Sequence, residues 1–136
     1  MAFVLQRLLC LVDLSQASTA VLSWTRLLAE TYRANVEVLH CSWIPKIEAE
    51  ARDISFEVLG TEIEGRVNAI AEAALGKNVK YQSRIVEGHP VKMILQYMAQ
   101  YPPDLVVLGS HGYDGCVRTI LGSVAENLLH TALCPI

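Results

Sequence analysis

The chain has 136 residues, 52% of them hydrophobic and 18% charged, with a formal net charge of -3. That length suits a single domain, residues 1–136, around one core, and the composition is globular rather than disordered or fibrous. No Lys/Arg cluster offers a nucleic-acid surface, and no run reaches the ~18 apolar residues of a membrane span.

The opening, "MAFVLQRLLCLVD", has neither a basic leader nor a small-residue cleavage site and is not read as a signal peptide. The four cysteines (Cys10, Cys41, Cys116, Cys134) lie far apart with no CxxC spacing, so zinc is not expected; reduced thiols in a cytoplasmic protein are. Leu8–Val12 ("LLCLV") is a continuous apolar run, the pattern of a strand buried on both faces. A helix follows, with Ala17, Ala20, Val21, Trp24, Leu27 and Leu28 read as its core face. "VEVLHC" (Val36–Cys41) is the second strand, and Ser42–Ser55, including the solvated "EAEARD", a connecting loop. Leu59, Ile63, Val67, Ile70 and Ala74 form the next helical stripe, stopped at Gly76. "VKYQSRIV" (Val79–Val86) alternates, with Lys80, Gln82 and Arg84 on one side and Tyr81, Ser83 and Ile85 on the other, as a half-exposed edge strand does. Pro90 opens a helix carrying Val91, Ile94, Leu95 and Met98; "LVVL" (Leu105–Leu108) is a fourth strand; Val124, Ala125 and Leu128 begin a last helix.

Regular alternation of strand and helix means an α/β fold, a parallel sheet with helices on both faces. The two fully apolar strands belong side by side in the centre, which gives the order 3-2-1-4. Ligands of such sheets sit beyond the carboxyl ends of the strands where the winding reverses, here between the first and fourth. Asp13 ends one of these strands and a glycine-rich stretch, "LGSHGYDGCVRTILGSVAENLL" (Leu108–Leu129), ends the other. Two residues separate Gly109 from Gly112, and nine separate Gly112 from Gly122-Ser123, at the start of a helix. Tight-turn N–H groups and a helix N-terminus attract anions, and glycine lets backbone approach phosphate directly.

With these residues in place the chain resembles the universal stress protein family over nearly its full length. "GSHG", nine residues and "GSVAEN" match the G-2x-G-9x-G(S/T) signature of that family's ATP-binding branch, and "VDLS", "LHC" and "VEGHP" resemble its strand-helix junctions. The resemblance implies a Rossmann-like sheet of order 3-2-1-4(-5) and a nucleotide site for ATP, ADP or AMP with Mg2+ or Mn2+. It places Asp13 near ribose and adenine, with Leu11 and Val12 as neighbouring backbone. Cys41 stands where the family often has valine beside the adenine, and Leu108 and Gly109 flank the nucleoside. Gly112, Gly122, Ser123 and Val124 hold phosphates. Ala125 replaces a hydroxyl residue of some members, and Arg118 is a candidate to neutralise phosphate charge. The family continues from "CPV" into a fifth strand, whereas "LLHTALCPI" stops at Ile136. The edge of "LVVL" is then expected to be unpaired: either the chain is a shortened form of a longer protein or another subunit covers the edge, and a homodimer is expected, with Cys134–Ile136 at or near the contact.

Other chemistry-bearing residues have plainer readings. Asp13 could be a helix cap, a part that Ser15 or Ser18 could equally take. His111, inside the loop, faces either a phosphate or solvent. His40 is read as packing, His89 as a turn residue beside the site and His130 as surface. Cys10 and Cys41 are small buried side chains, Cys116 is the one candidate for redox chemistry, and Trp43 could shield the pocket. No GxxxxGK[ST] stretch is present, so little or no turnover is expected, slow ATP hydrolysis or phosphoryl transfer being the rival reading. A response-regulator receiver would need a pair of acids after the first strand, and a flavodoxin a glycine-bearing loop there; "LVDLSQAS" offers neither. The function expected is that of a nucleotide-dependent sensor or regulatory module.

Overall fold

The computed structural model describes residues 3–42, 56–109, 123–131 and 134–136. In chain order they form β1 (Arg7–Leu11), α1 (Ala17–Tyr32), β2 (Asn35–Ser42), α2 (Phe56–Leu75), β3 (Tyr81–Glu87), α3 (Pro90–Gln100), β4 (Leu105–Val107) and α4 (Ser123–Thr131). The strands make one sheet of order β3-β2-β1-β4, every pair parallel, with Cys10 opposite Val38 on one side and Val107 on the other. This is the order expected from the apolar runs, but β4, expected in the centre beside β1, is an edge of the described sheet and only its Val106 is buried. Residues 43–55 and 110–122 lie outside the described structure, and with them Trp43, "EAEARD" and Cys116; the side chain of Leu59 does too.

Alternation along the strands sends side chains to two separate cores. Leu8, Cys10, Val36 and Val38 pack with Val21, Leu22 and Ala29 of α1 and Val67, Ala71 and Leu75 of α2. On the other face Leu9, Leu11, Leu39 and Val106 pack with Ile94, Tyr97 and Met98 of α3 and Leu128 of α4. Each fully buried Val or Leu contributes about 1.5–3 kcal/mol of transfer free energy. β3 is an edge strand, with Lys80, Gln82 and Arg84 exposed as its alternation indicates. Punctuation also follows the sequence: Gly76 takes φ +70° after α2, and Pro90 sits in the first turn of α3.

Two expectations are corrected. The buried face of α1 is Ser18, Val21, Leu22, Thr25 and Ala29, whereas Ala20 is exposed, Trp24 is 64% exposed and Leu27 54%. The helix is turned about one residue from the face its largest apolar side chains suggested. Thr25 can be buried because its hydroxyl donates to the Val21 carbonyl (2.8 Å), and Ser18 because its hydroxyl donates to Asp13 (3.0 Å). The outer edge of β4 is not wholly unpaired either: the Val106 N–H donates to the Pro135 carbonyl at 3.0 Å, so the segment at Cys134–Ile136 starts to line that edge. Among the described residues no helix is long and apolar enough to cross a membrane.

Candidate functional site

A cavity of about 160 Å³ opens at the carboxyl ends of β1 and β4. Its lining includes Leu11, Val12, Asp13, Cys41, Leu108, Gly109, Val124 and Ala125, all singled out from sequence. Ala17, Ser18, Val21, Leu39, Pro90 and Ile94 complete the wall, and sequence reasoning gave none of these a site role. The signal for them was periodicity: Leu39 and Ile94 belong to the core under the cavity floor, and Pro90 to the helix entry beside it. Ser123 is the first residue of α4, whose N-terminal turn borders the cavity through Val124 and Ala125. His111, Gly112, Arg118 and Gly122 lie outside the described residues, as does the side chain of Ser123.

The polar wall is built where β1 becomes α1. The Val12 N–H still donates to the Leu39 carbonyl at 3.0 Å, but the ladder proper ends at Leu11. Asp13 Oδ1 then accepts from the Ser15 N–H (2.9 Å) and the Ser18 hydroxyl (3.0 Å), and the Asp13 N–H donates to Ser18 Oγ (3.2 Å). Asp13 therefore stabilises the turn that starts the helix, while the cap position itself falls on Gln16, which makes no side-chain cap bond. Leu14 adopts φ +65°, a left-handed conformation that costs a non-glycine residue on the order of 1–3 kcal/mol. That bend brings the Asp13 carboxylate to the cavity wall instead of continuing the strand. In the same turn Ser15 Oγ is buried with no hydrogen-bond partner among the described residues.

The opposite wall is a junction between the end of β2 and the turn from β3 to α3. The Gly88 N–H donates to the Ser42 carbonyl (3.1 Å), and the Cys41 thiol donates to the Gly88 carbonyl (3.3 Å). Burial pushes that thiol up to about 11, so at neutral pH it is a hydrogen-bond donor and apolar wall rather than a nucleophile. Gly88 holds φ +133°, which keeps the turn tight against Met93 and delivers Pro90 to the cavity. His89 occupies the cap position of α3, consistent with a turn residue beside the site, and His130 is exposed in the last turn of α4. His40 is buried, but it does more than pack: its Nδ1 lies 2.8 Å from the Val12 carbonyl.

The arrangement is an apolar slot with one carboxylate at its side and a helix N-terminus at its mouth. It can sandwich a flat, weakly polar group between aliphatic side chains, accept hydrogen bonds at Asp13, and favour negative charge near α4. Among the described residues no group of three His, Cys, Asp or Glu side chains is gathered to hold a metal ion. A larger cavity of about 450 Å³ at the amino ends of the strands is lined by residues of mixed charge, including Arg7, Glu37 and Lys80.

Comparison with known proteins is consistent across sequence and structure. The family described as "Universal stress protein family" matches residues 5–136. A universal stress protein of Methanocaldococcus jannaschii is 32% identical over 80 residues, covering 59% of this chain and 47% of that protein. The chain spans about half the length of several of the curated relatives it matches. Among solved structures, a universal stress protein from Lactobacillus plantarum superimposes with a TM-score of 0.73 at 24% identity, covering 96% of this chain and 94% of the other. A universal stress protein solved in complex with cAMP gives a TM-score of 0.69 at 19% identity, covering 98% and 95%. At these identities the structural likeness is one of fold.

Proposed function

The chain belongs to the universal stress protein family, and from that premise we propose that it is a nucleotide-binding module that takes ATP into the cavity between β1 and β4. The observation that carries the reading is the cavity's place. It sits at the point where the sheet reverses its winding and is lined by Asp13, Leu108 and Gly109, with the G-2x-G-9x-G-S spacing running on from Gly109. The volume suits an adenine with part of its ribose. By the spacing of the signature, the phosphates fall to Gly112, Gly122 and Ser123, with Arg118 the candidate to offset their charge. A relative of the same fold was solved with cAMP, which also has an adenine and a phosphate. A divalent cation, Mg2+ or Mn2+, arrives coordinated by those phosphates, since Mg2+ usually retains waters and substrate oxygens rather than a protein cage.

The role that fits is a nucleotide-dependent sensor or regulator in the cytoplasm, with turnover below one per second, the lower end of the ordinary enzyme range. Equilibrium dialysis with labelled ATP and Mg2+, with ADP, AMP and cAMP as competitors, tests the reading. Saturable binding supports it, and lack of saturation up to millimolar ATP, a level of only about 4 kcal/mol, refutes it.

We also propose that the module works as a homodimer joined along β4. A cavity of about 400 Å³ beside that strand is lined by Trp24, Leu28, Leu129 and Ile136, and Trp24 and Leu129 are more than half exposed. Open strand edges with apolar flanks invite pairing. Light scattering that gives twice the chain mass supports the dimer; a monomer at tens of micromolar refutes it.

A further inference from the structure

Building on the nucleotide reading, we propose that His40 is a positioning residue for the pocket: from the α1 face of the sheet it holds the Val12 carbonyl, fixing the path of Val12–Leu14 and so the direction of Asp13. His40 lies in β2 between Leu39 and Cys41, which both line the cavity. Strand alternation sends its own side chain to the opposite face, the side of Val36 and Val38 under α1 and α2. There it is only 8% exposed. A polar ring in that position is costly unless bonded, and its Nδ1 is 2.8 Å from the Val12 oxygen. A carbonyl can only accept, so Nδ1 carries the proton, and the bond selects that tautomer.

The bond falls where the strand needs a tie. Pairing of β1 with β2 ends at Leu11 opposite Leu39. One residue on, both polar groups of Val12 are held by β2: the N–H by the Leu39 carbonyl at 3.0 Å and the C=O by the His40 ring. Two residues on, Leu14 enters its φ +65° conformation. Such a strained residue persists only where its surroundings over-determine it. The ties on its amino side are the two Val12 bonds; those on its carboxyl side are the Ser15 N–H and Ser18 hydroxyl on Asp13. An aliphatic side chain at position 40 could fill the same space but would release the Val12 carbonyl, leaving the turn one tie short.

The test uses His40→Leu, which removes the donor, and His40→Asn, whose amide nitrogen stands near the place of Nδ1. Adenosine and ATP affinities are measured on the full chain, and amide hydrogen exchange at Ser15 and Ser18 is followed without nucleotide. His40→Leu is expected to weaken adenosine about tenfold and to speed exchange at Ser15 and Ser18 by a similar factor, the worth of one buried hydrogen bond. His40→Asn is expected to recover most of both. Equal affinity and equal exchange in the parent and His40→Leu overturn the proposal. If the parent binds no ATP or adenosine, the nucleotide reading fails by itself, and exchange at Ser15 and Ser18 still decides the role of His40. If His40→Leu does not fold, the imidazole 15N shifts of the parent and the affinity of His40→Asn decide. A ring protonated at Nε2, or an asparagine variant with tenfold weaker binding, overturns it.

Discussion

Gly88→Ala probes the wall opposite Asp13 with a change of one methyl group. Gly88 holds φ +133°, where an L side chain is strained whatever the space around it, at a cost on the order of 1–3 kcal/mol. The new Cβ would also lie 2.9 Å from Met93 Cγ and 3.0 Å from Met93 Sδ. Methionine is flexible and can turn aside, so this clash adds about 0.5–1.5 kcal/mol, the cost of an off-rotamer side chain. The sum is roughly 1.5–4.5 kcal/mol, a large part of the ~5–15 kcal/mol that holds an ordinary domain folded. In urea, with a slope of about 1–3 kcal/mol per molar, the unfolding midpoint falls by about 1–2 M. Met93→Ala placed in the Gly88→Ala background should return only the contact share, because the backbone strain remains. Nucleotide affinity should fall as well: Gly88 is bonded to Ser42 and Cys41, and Pro90, two residues on, lines the cavity. A loss of less than ~0.5 kcal/mol, within the range of ordinary surface substitutions, would refute the reasoning, since the turn would then not require a glycine.

Asp13→Ala should cost about 1 kcal/mol in stability, because the Ser15 N–H and the Ser18 hydroxyl lose their acceptor; it should also weaken adenosine binding, while Asp13→Asn, which keeps one oxygen, retains more of the stability in thermal melts. Gly122→Val should abolish ATP binding in dialysis with the circular dichroism spectrum unchanged, and ATP binding at the parent level would make that glycine a turn residue only. Burial raises the Cys10 thiol from 9.0 to about 11. A raised acid contributes stability that is complete below pH 9 and is lost as pH climbs through 11. Between those values the parent should lose roughly 2 kcal/mol more than Cys10→Val, which has nothing to titrate there. Parallel stability curves in urea melts would contradict this.

What could be read from the sequence of the fold is what hydrophobic periodicity encodes. The continuous run at Leu8–Val12 marked a central strand, because β1 is paired on both sides and buried on both faces; the run at Leu105–Leu108 marked its neighbour but not its place, since β4 is an edge of the described sheet with only Val106 buried; the alternation of Lys80, Gln82 and Arg84 marked the other edge at β3. The same logic misplaced α1. Ranking by hydrophobicity alone put Trp24 and Leu27 inward, yet Ser18 and Thr25 occupy the core face. Each carries its own acceptor, the Asp13 carboxylate and the Val21 carbonyl, so burial of its hydroxyl costs little. Periodicity records which side chains are apolar, not which polar ones are satisfied.

The site was legible where it depends on the backbone and obscure where it depends on side-chain partners. A glycine spacing and a switch point can be located from the order of elements alone, and they gave Asp13, Leu108 and Gly109. His40 could not be found in that way. Its residue type and its place on a strand suit a core position, and its bond to Val12 joins residues 28 apart in sequence. A parallel sheet makes this kind of remote support available. A donor on a strand end that lies outside the cavity lining, as His40 does, can fix a carbonyl at the pocket without taking space in it. On the proposed reading Leu39 and Cys41 face the ligand, and the residue between them sets the shape of that contact.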